Sequence, residues 1–229
     1  MNLSFSPCRG GSAQRGEETR RRVLDAAIEV FAGVGYEAAH TRLLAERAGV
    51  KLPTLSYYFG SKEGLFRAVI EHITAQFERN MAPVEERVRA ALGDLETSHD
   101  ALLDLLCDLL DTFIATMLSG DQPESWRMII GRAENENLTA LDPLHSSIRR
   151  LTAEPCKALI GRLLGETEGE EMTWMRAVAI LGQINIFTKP QVRFGLGWAT
   201  YTQERVRSVQ DLVRGNTRAI FGGSGSVRR

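Results

Sequence analysis

Two short helical segments, 41–48 and 51–59, flank Gly49-Val50, and the second presents Lys51, Leu52, Pro53, Thr54 and Tyr57 on one surface. An ammonium, a hydroxyl and a phenol beside two apolar side chains suit the major groove of DNA, where phosphates, base edges and thymine methyls lie together. Such chemistry needs a helix-turn-helix to position it. Ala45 is small where two helices must cross closely, Gly49 allows a left-handed turn, and Val50 plugs the joint. Leu44 and Leu55 would face the preceding helix, and Pro53 falls in a first turn, where its missing N–H costs little. The same spacing fits an ordinary αα-hairpin, so it leaves DNA contact and plain helix packing both open.

No second constellation competes. His40, His72, His99 and His145 form no metal-binding pair, and Cys8, Cys107 and Cys156 are scattered, odd in number and expected as buried or idle thiols. Gly33-Val34-Gly35 follows a helix rather than a strand, so it does not read as a phosphate loop. No Ser/His/Asp arrangement or Walker loop is present. The expectation is a chain that is no enzyme and uses no cofactor or metal.

The 229 residues are 43% hydrophobic and 25% charged, enough for one or two domains with buried cores. Lys+Arg number 28 against 29 Asp+Glu, which excludes a strongly basic coat protein. The charge is uneven. Residues 9–67 carry ten Lys/Arg and seven Asp/Glu, which puts any anion-binding surface in the N-terminal quarter. No run of about 18 uncharged apolar residues offers a membrane helix, and the N-terminal segment has no apolar stretch of a signal peptide, so a cytoplasmic location is expected.

Apolar spacing of period 3.6 recurs throughout, which predicts an all-α fold. Helices are expected from Glu18 to the glycines at 33 and 35, from Ser61 to an interruption at Pro83, and over 100–118 after a break at 93–99. A turn at 120–123 leads to a helix around Trp126, Met128, Ile129 and Ile130. Further helices are expected over 144–164, bent at Pro155, over 172–187, which is so apolar that it should be buried, and over 202–220, before a flexible tail.

The stretch AAIEVFAGVGY…TRLLAERAGVKLPTLSYYFGSKEGLF closely resembles the TetR family of one-component transcriptional repressors. Ala45, Gly49-Val50, Thr54-Leu55, Tyr58-Phe59 and Ser61-Lys62-Glu63 follow its signature, with Phe31 and Gly35-Tyr36 upstream. The resemblance implies an N-terminal helix-turn-helix domain over 16–67, after a flexible arm 1–15, and a larger effector-binding and dimerisation domain over 68–222, before a tail 223–229. It also implies double-stranded DNA as partner, a near-palindromic operator, a homodimer, and release by a small hydrophobic or amphipathic effector. Carried over by position, Thr41 and Arg42 reach a phosphate or base edge, and Lys51, Leu52, Pro53 and Thr54 begin the recognition helix. Tyr57 and Tyr58 offer hydroxyls to the backbone, and Lys62 meets a phosphate at a helix start. Ala39 and His40 stand where the family has cap hydroxyls, which predicts a weaker cap on the second helix.

More loosely, Leu144-His145-Ser146…Pro155…Leu159-Ile160 and Leu181-Gly182-Gln183…Phe187…Gly197-Trp198 look like the C-terminal domain of the CecR (CerR-type) subgroup. Ala177, Ile180, Leu181, Ile184 and Phe187, with the small Ala179 and Gly182, and Val206, Val209, Leu212, Val213 and Ile220 on the last helix are expected to form a four-helix dimer seam. Phe113, Met117, Trp126, Met128 and Met175, with Gln183 or Asn185 as polar partner, are expected to line the effector pocket. The helix that starts at Ser61 should act as the lever between halves through Phe66, Ile70, Ile73 and Phe77. Two other readings remain: a regulator of this family controlled by a protein partner or needing no small ligand, and a helical ligand-binding module without DNA activity.

Overall fold

Helix α1 (Gly10–Ala38) buries Val23, Leu24, Ala27, Ile28 and Phe31 and packs against α2 (Thr41–Arg47) and α4 (Lys62–Gly93), while α3 (Leu52–Phe59) packs on α2 and α4. The computed structural model describes residues 10–119, 123–136, 138–165 and 169–223, and every element among them is helical. The stripe on α1 recurs at helical spacing, and each large side chain buried there stabilises the unit by about 1.5–3 kcal/mol. The Phe31 and Phe66 rings meet edge to face at 5.0 Å, with Tyr36 4.9 Å from Phe66, so α1 and α4 share an aromatic joint.

Helix α1 starts at Gly10 rather than Glu18, so the part of the expected arm at 10–15 is helical; residues 1–9 lie outside the described residues. It also passes Gly33 and kinks at Gly35, whose backbone is non-helical (φ 82, ψ 172). Pro83 does not interrupt α4. The helix runs unbroken through it to Gly93, because Met81, Val84 and Val88 on the same turns are buried while Pro83 and Arg79, whose carbonyl loses its donor, face solvent. A domain boundary at 67 therefore falls inside a continuous helix.

Helix α5 (His99–Leu118), capped by Ser98, is the axis of the C-terminal half. It packs against α4, α6 (Pro123–Asn135), α8 (Glu154–Leu164), α9 (Glu170–Thr188) and α11 (Gln203–Phe221). Ion pairs tie α5 to α11: Arg214 to Asp108 at 3.0 Å and to Asp111, and Arg218 to Asp104. Between α6 and α8 lie a short 3₁₀ turn (Thr139–Leu141) and α7 (Asp142–Ile148). The expected long helix over 144–164 is continuous, and Pro155 is absorbed by a π-helical turn at Arg149–Ala153, which widens the backbone where the proline ring would strike the Leu151 carbonyl. The helix expected over 172–187 is followed by a short helix that the periodicity does not mark, α10 (Pro190–Gly195), with Pro190 in its first turn. Of the turn expected at 120–123, residues 120–122 lie outside the described residues, as do 224–229 of the tail.

Candidate nucleic-acid interface and effector cavity

The turn between α2 and α3 is closed by backbone chemistry. The N–H of Val50 donates to the Ala45 carbonyl at 3.0 Å and that of Gly49 to Glu46 at 3.0 Å, a Schellman closure that requires the positive φ of Gly49 (62°). His40 makes no side-chain cap on α2, as its type predicts. Leu44, Ala45 and Leu55 are buried, so α3 is anchored by one face and offers the other. On that outer face Lys51, Leu52, Pro53, Ser56 and Tyr57 are exposed, Tyr57 by 81%, and Arg42 is exposed on neighbouring α2. Thr41 and Thr54 are half-buried at their edges. A short helix carrying a free ammonium and phenol beside a guanidinium is suited to a groove lined by phosphates.

Two expected backbone contacts sit differently. Tyr58 is half-buried, its ring 5.2 Å from that of Tyr57 and its hydroxyl against Gly16 of α1. Lys62 is turned back onto the end of α1: its Nζ donates to the carbonyls of Tyr36 (3.1 Å) and Glu37 (3.5 Å) and lies 4.3 Å from the centre of the Tyr36 ring. Helix α1 ends at Ala38, which leaves its last carbonyls short of α-helical partners; that of Tyr36 accepts the Ala39 N–H at 3.3 Å, and the ammonium supplies a further donor. The Tyr36 hydroxyl donates to Glu63 Oε1 at 3.0 Å. Burial, then the Glu63 carboxylate, pushes the Tyr36 phenol up to about 12. Backbone hydrogen bonding at the start of α4, then the Ser61 hydroxyl, holds Glu63 below the usual carboxylate range.

A cavity of about 810 Å³ opens among α5, α6, α7, α9 and the α9–α10 junction. Phe113, Met117 and Met128 line it as expected, with Ile130, Ile148 and Leu181, and so does Asn185. Trp126 does not. It borders a narrower space beside Phe77 and Met117, its ring edge-on to His72 at 6.4 Å. Met175 points to the surface, and Gln183 accepts a hydrogen bond from Asn216 of α11 at 2.9 Å. The polar wall that sequence reasoning missed is Arg127, Arg132, Glu134, His145 and Lys189. Its signal was available, since Arg127 and Arg132 interrupt the apolar run WRMIIGR.

Most of the expected seam residues are turned inward, while Ala179, Gly182, Leu212 and Ile220 are exposed. Ala177, Ile180, Ile184, Val206, Val209 and Val213 are buried within the single chain, Val209 with 2% exposure, and Leu181 faces the cavity. Pairing with α5 and α8 uses those faces first, which leaves the opposite faces open. On α9 these are Met172, Met175, Ala179, Gly182 and Ile186, and on α11 Ser208, Leu212, Gly215 and Ala219. Both sets step by three and four, the spacing of a helix–helix seam, with small residues at the centre. Apolar character on both sides of α9 is therefore one buried face plus one free face, rather than a wholly buried helix.

Both buried thiols are chemically quiet, Cys107 raised and Cys156 pushed to about 12 by burial. Cys8 lies outside the described residues. Among the described residues no cluster of His, Cys, Asp or Glu is arranged to hold a metal, and no helix is long and apolar enough to cross a membrane.

A helix-turn-helix mounted on a helical domain with a central cavity defines a class of DNA-binding regulators. Residues 23–69 match the family described as bacterial regulatory proteins, tetR family, and residues 102–224 match the C-terminal domain of the HTH-type transcriptional dual regulator CecR. The chain belongs to the TetR family, in the branch with a CecR-type C-terminal domain, and is a DNA-binding transcriptional regulator. CecR of Shigella flexneri is 25% identical over 87% of this chain and 89% of its own. The HTH-type transcriptional repressor NicS of Pseudomonas putida is 30% identical over 68% of this chain and 63% of its own. A TetR-like transcriptional regulator from Rhodococcus sp. RHA1 has the same fold, with a TM-score of 0.64 at 23% identity over 90% of this chain and 96% of that one.

Proposed function

We propose that the chain is a dimeric repressor that leaves a near-palindromic operator when a small apolar or amphipathic effector fills the cavity. One observation carries the reading: α6 has the cavity on one side and α1 of the helix-turn-helix unit on the other. An effector that shifts α6 must disturb the platform on which α3 is mounted. The relatives bear on direction, since NicS carries the name repressor and CecR that of dual regulator.

In this reading Lys51, Leu52, Pro53 and Thr54 enter the groove, Arg42 reaches a base edge, Thr41 and Tyr57 meet the flanking backbone, and Tyr58 supports Tyr57. Lys62 acts by holding α4 to α1. The free faces of α9 and α11 pair with a second copy, which sets two recognition helices at a fixed spacing and doubles the number of bases read. No catalysis is assigned. Fluorescence anisotropy with the DNA upstream of the chain's own gene, repeated with metabolite extracts, tests the whole: specific binding that an extract weakens supports it. Binding unaffected by any extract removes effector control, and absence of specific binding removes the repressor.

A further inference from the structure

Arg127 occupies an unusual place in the wall of α6. It borders the main cavity, a chamber of about 210 Å³ beside Tyr201 and Phe187, and the narrow space next to Trp126. A guanidinium carries five N–H donors and no acceptor. Arg127 donates one hydrogen bond, from Nη1 to the Met117 carbonyl at 2.8 Å, and lies 5.0 Å from the centre of the Tyr201 ring. Among the described residues no carboxylate pairs with it. The other cations of the two chambers are engaged: Arg193 with Glu124 at 2.6 Å, Lys189 with Glu134 at 3.8 Å, and Arg132 on the Gly33 carbonyl at 3.0 Å. The indole N–H of Trp126, adjacent in the chain, is buried and also has no acceptor.

A part-buried cation with unused donors is costly, and burial is the main cause that pulls the Arg127 guanidinium below its ordinary value. Donors left open in the wall of a binding cavity are completed by a ligand acceptor, and a site built that way rejects analogues that lack it. The planar fork matches a carboxylate in two parallel hydrogen bonds. Among the described residues neither Arg127 nor Arg132 forms an ion pair with a carboxylate, but Arg132 is spent on the Gly33 carbonyl of α1 while Arg127 faces both chambers, so one negative charge balances Arg127. Phe113, Met117, Met128, Ile130, Ile148 and Leu181 give the cavity an apolar side, and on its polar side Glu134 is shared by His145 at 3.9 Å and Lys189 at 3.8 Å.

We propose that the effector is a monocarboxylate amphiphile, its carboxylate seated on Arg127 and its apolar body against Phe113, Met117, Met128 and Leu181. The proposal rests on the reading of the cavity as the effector site. It explains why an arginine interrupts the apolar stretch of α6, on the helix that also carries α1.

Calorimetric titration of the full chain with hexanoate, octanoate and decanoate, and with octan-1-ol and octylamine, tests it. The wild-type chain should bind octanoate about 10- to 100-fold more tightly than octan-1-ol, the worth of a charged hydrogen-bond pair, and octylamine more weakly than either. Arg127→Gln should bring octanoate and octan-1-ol to within about twofold of each other, with octan-1-ol binding kept as proof of an intact cavity. Arg127→Lys should keep part of the preference, and Lys189→Gln should keep it whole. Equal binding of acid and alcohol by the wild-type chain, or a preference that survives in folded Arg127→Gln, overturns the carboxylate seat while leaving the effector cavity standing. Binding of none of the probes overturns the cavity reading and the proposal with it.

Discussion

Arg132 Nη2 donates to the carbonyl of Gly33 at 3.0 Å, so one side chain of α6 reaches from the cavity wall to the backbone of the helix-turn-helix unit. The contact lies two residues before the kink at Gly35. It gives the two halves a link other than α4. Replacement of Arg132 by Ala should reduce the effector-induced loss of operator binding more than it reduces operator affinity without effector. Coupling of about 1–3 kcal/mol corresponds to a 5- to 150-fold response, and the variant should lose a substantial part of it. Operator titrations at zero and saturating effector decide the point; an unchanged response in a folded variant assigns the signal to α4, where Phe77 meets Phe113 of the cavity wall edge to face at 6.2 Å.

Lys62 makes its polar contacts on α1, so Lys62→Ala is expected to cost about 1 kcal/mol of stability, the worth of a hydrogen bond with a weak cation–π contact. Denaturant unfolding measures it. The salt dependence of DNA binding should hardly change, whereas a slope reduced by about one unit would return Lys62 to the phosphates.

The exposed residues of α2 and α3 predict how DNA binding responds to salt and to substitution. With about four phosphates neutralised per subunit, log affinity should fall with log salt at a slope of roughly −7 for the dimer. Thr54→Ala or Arg42→Ala should change the preferred bases, and Tyr57→Ala should weaken all sequences alike. Equal losses for all three on every operator would remove base reading from Thr54 and Arg42.

The two faces of α9 and α11 separate assembly from folding. Met175 is 55% exposed and Leu212 52%, so Met175→Arg or Leu212→Arg should yield a folded monomer with much weaker operator binding. Val209→Arg places a charge in the α5–α11 core and should unfold the chain. Sedimentation together with circular dichroism distinguishes the outcomes, and a dimer that tolerates both exposed substitutions would place the seam elsewhere.

His72 of α4 is shifted down, chiefly by burial beside Trp126, against the opposing pull of Asp25 and with a smaller push from Arg79. Its folded value lies below its unfolded value, so the stability it contributes is present above pH of about 6.5 and is lost as pH falls through the folded value. His72→Phe should therefore flatten the fall in unfolding temperature between neutral and mildly acid pH. A profile as steep as that of the wild-type chain would assign the loss to other groups.

Local chemistry was legible residue by residue. The helix-turn-helix could be read because Ala45, Gly49, Val50 and Leu55 each answer a constraint within a few residues: a close crossing, a positive φ, a plug, an anchor. The Ser61 cap, whose hydroxyl accepts from the Gly64 N–H at 3.1 Å, belongs to the same class, whereas α5 begins at His99 behind a Ser98 cap that lies inside the break expected at 93–99. Pro83 marks the limit of such signals, since a proline has a fixed local cost that burial of Met81, Val84 and Val88 outweighs. Tertiary packing alone decided the rest. Periodicity says that α9 and α11 have apolar faces but not which face meets α5 first, so Ala177, Ile180, Ile184, Val206, Val209 and Val213 lie inside the single chain while Leu212 stays exposed. Lys62 faces α1 because the last carbonyls of that helix, which ends at Ala38, lie within its reach 26 residues away in the chain, a partner no spacing rule within α4 contains. The cavity wall, too, exists only where α6, α7 and the α9–α10 junction converge, because a side chain such as Arg127 acquires its chemistry from the groups that fail to meet it in space.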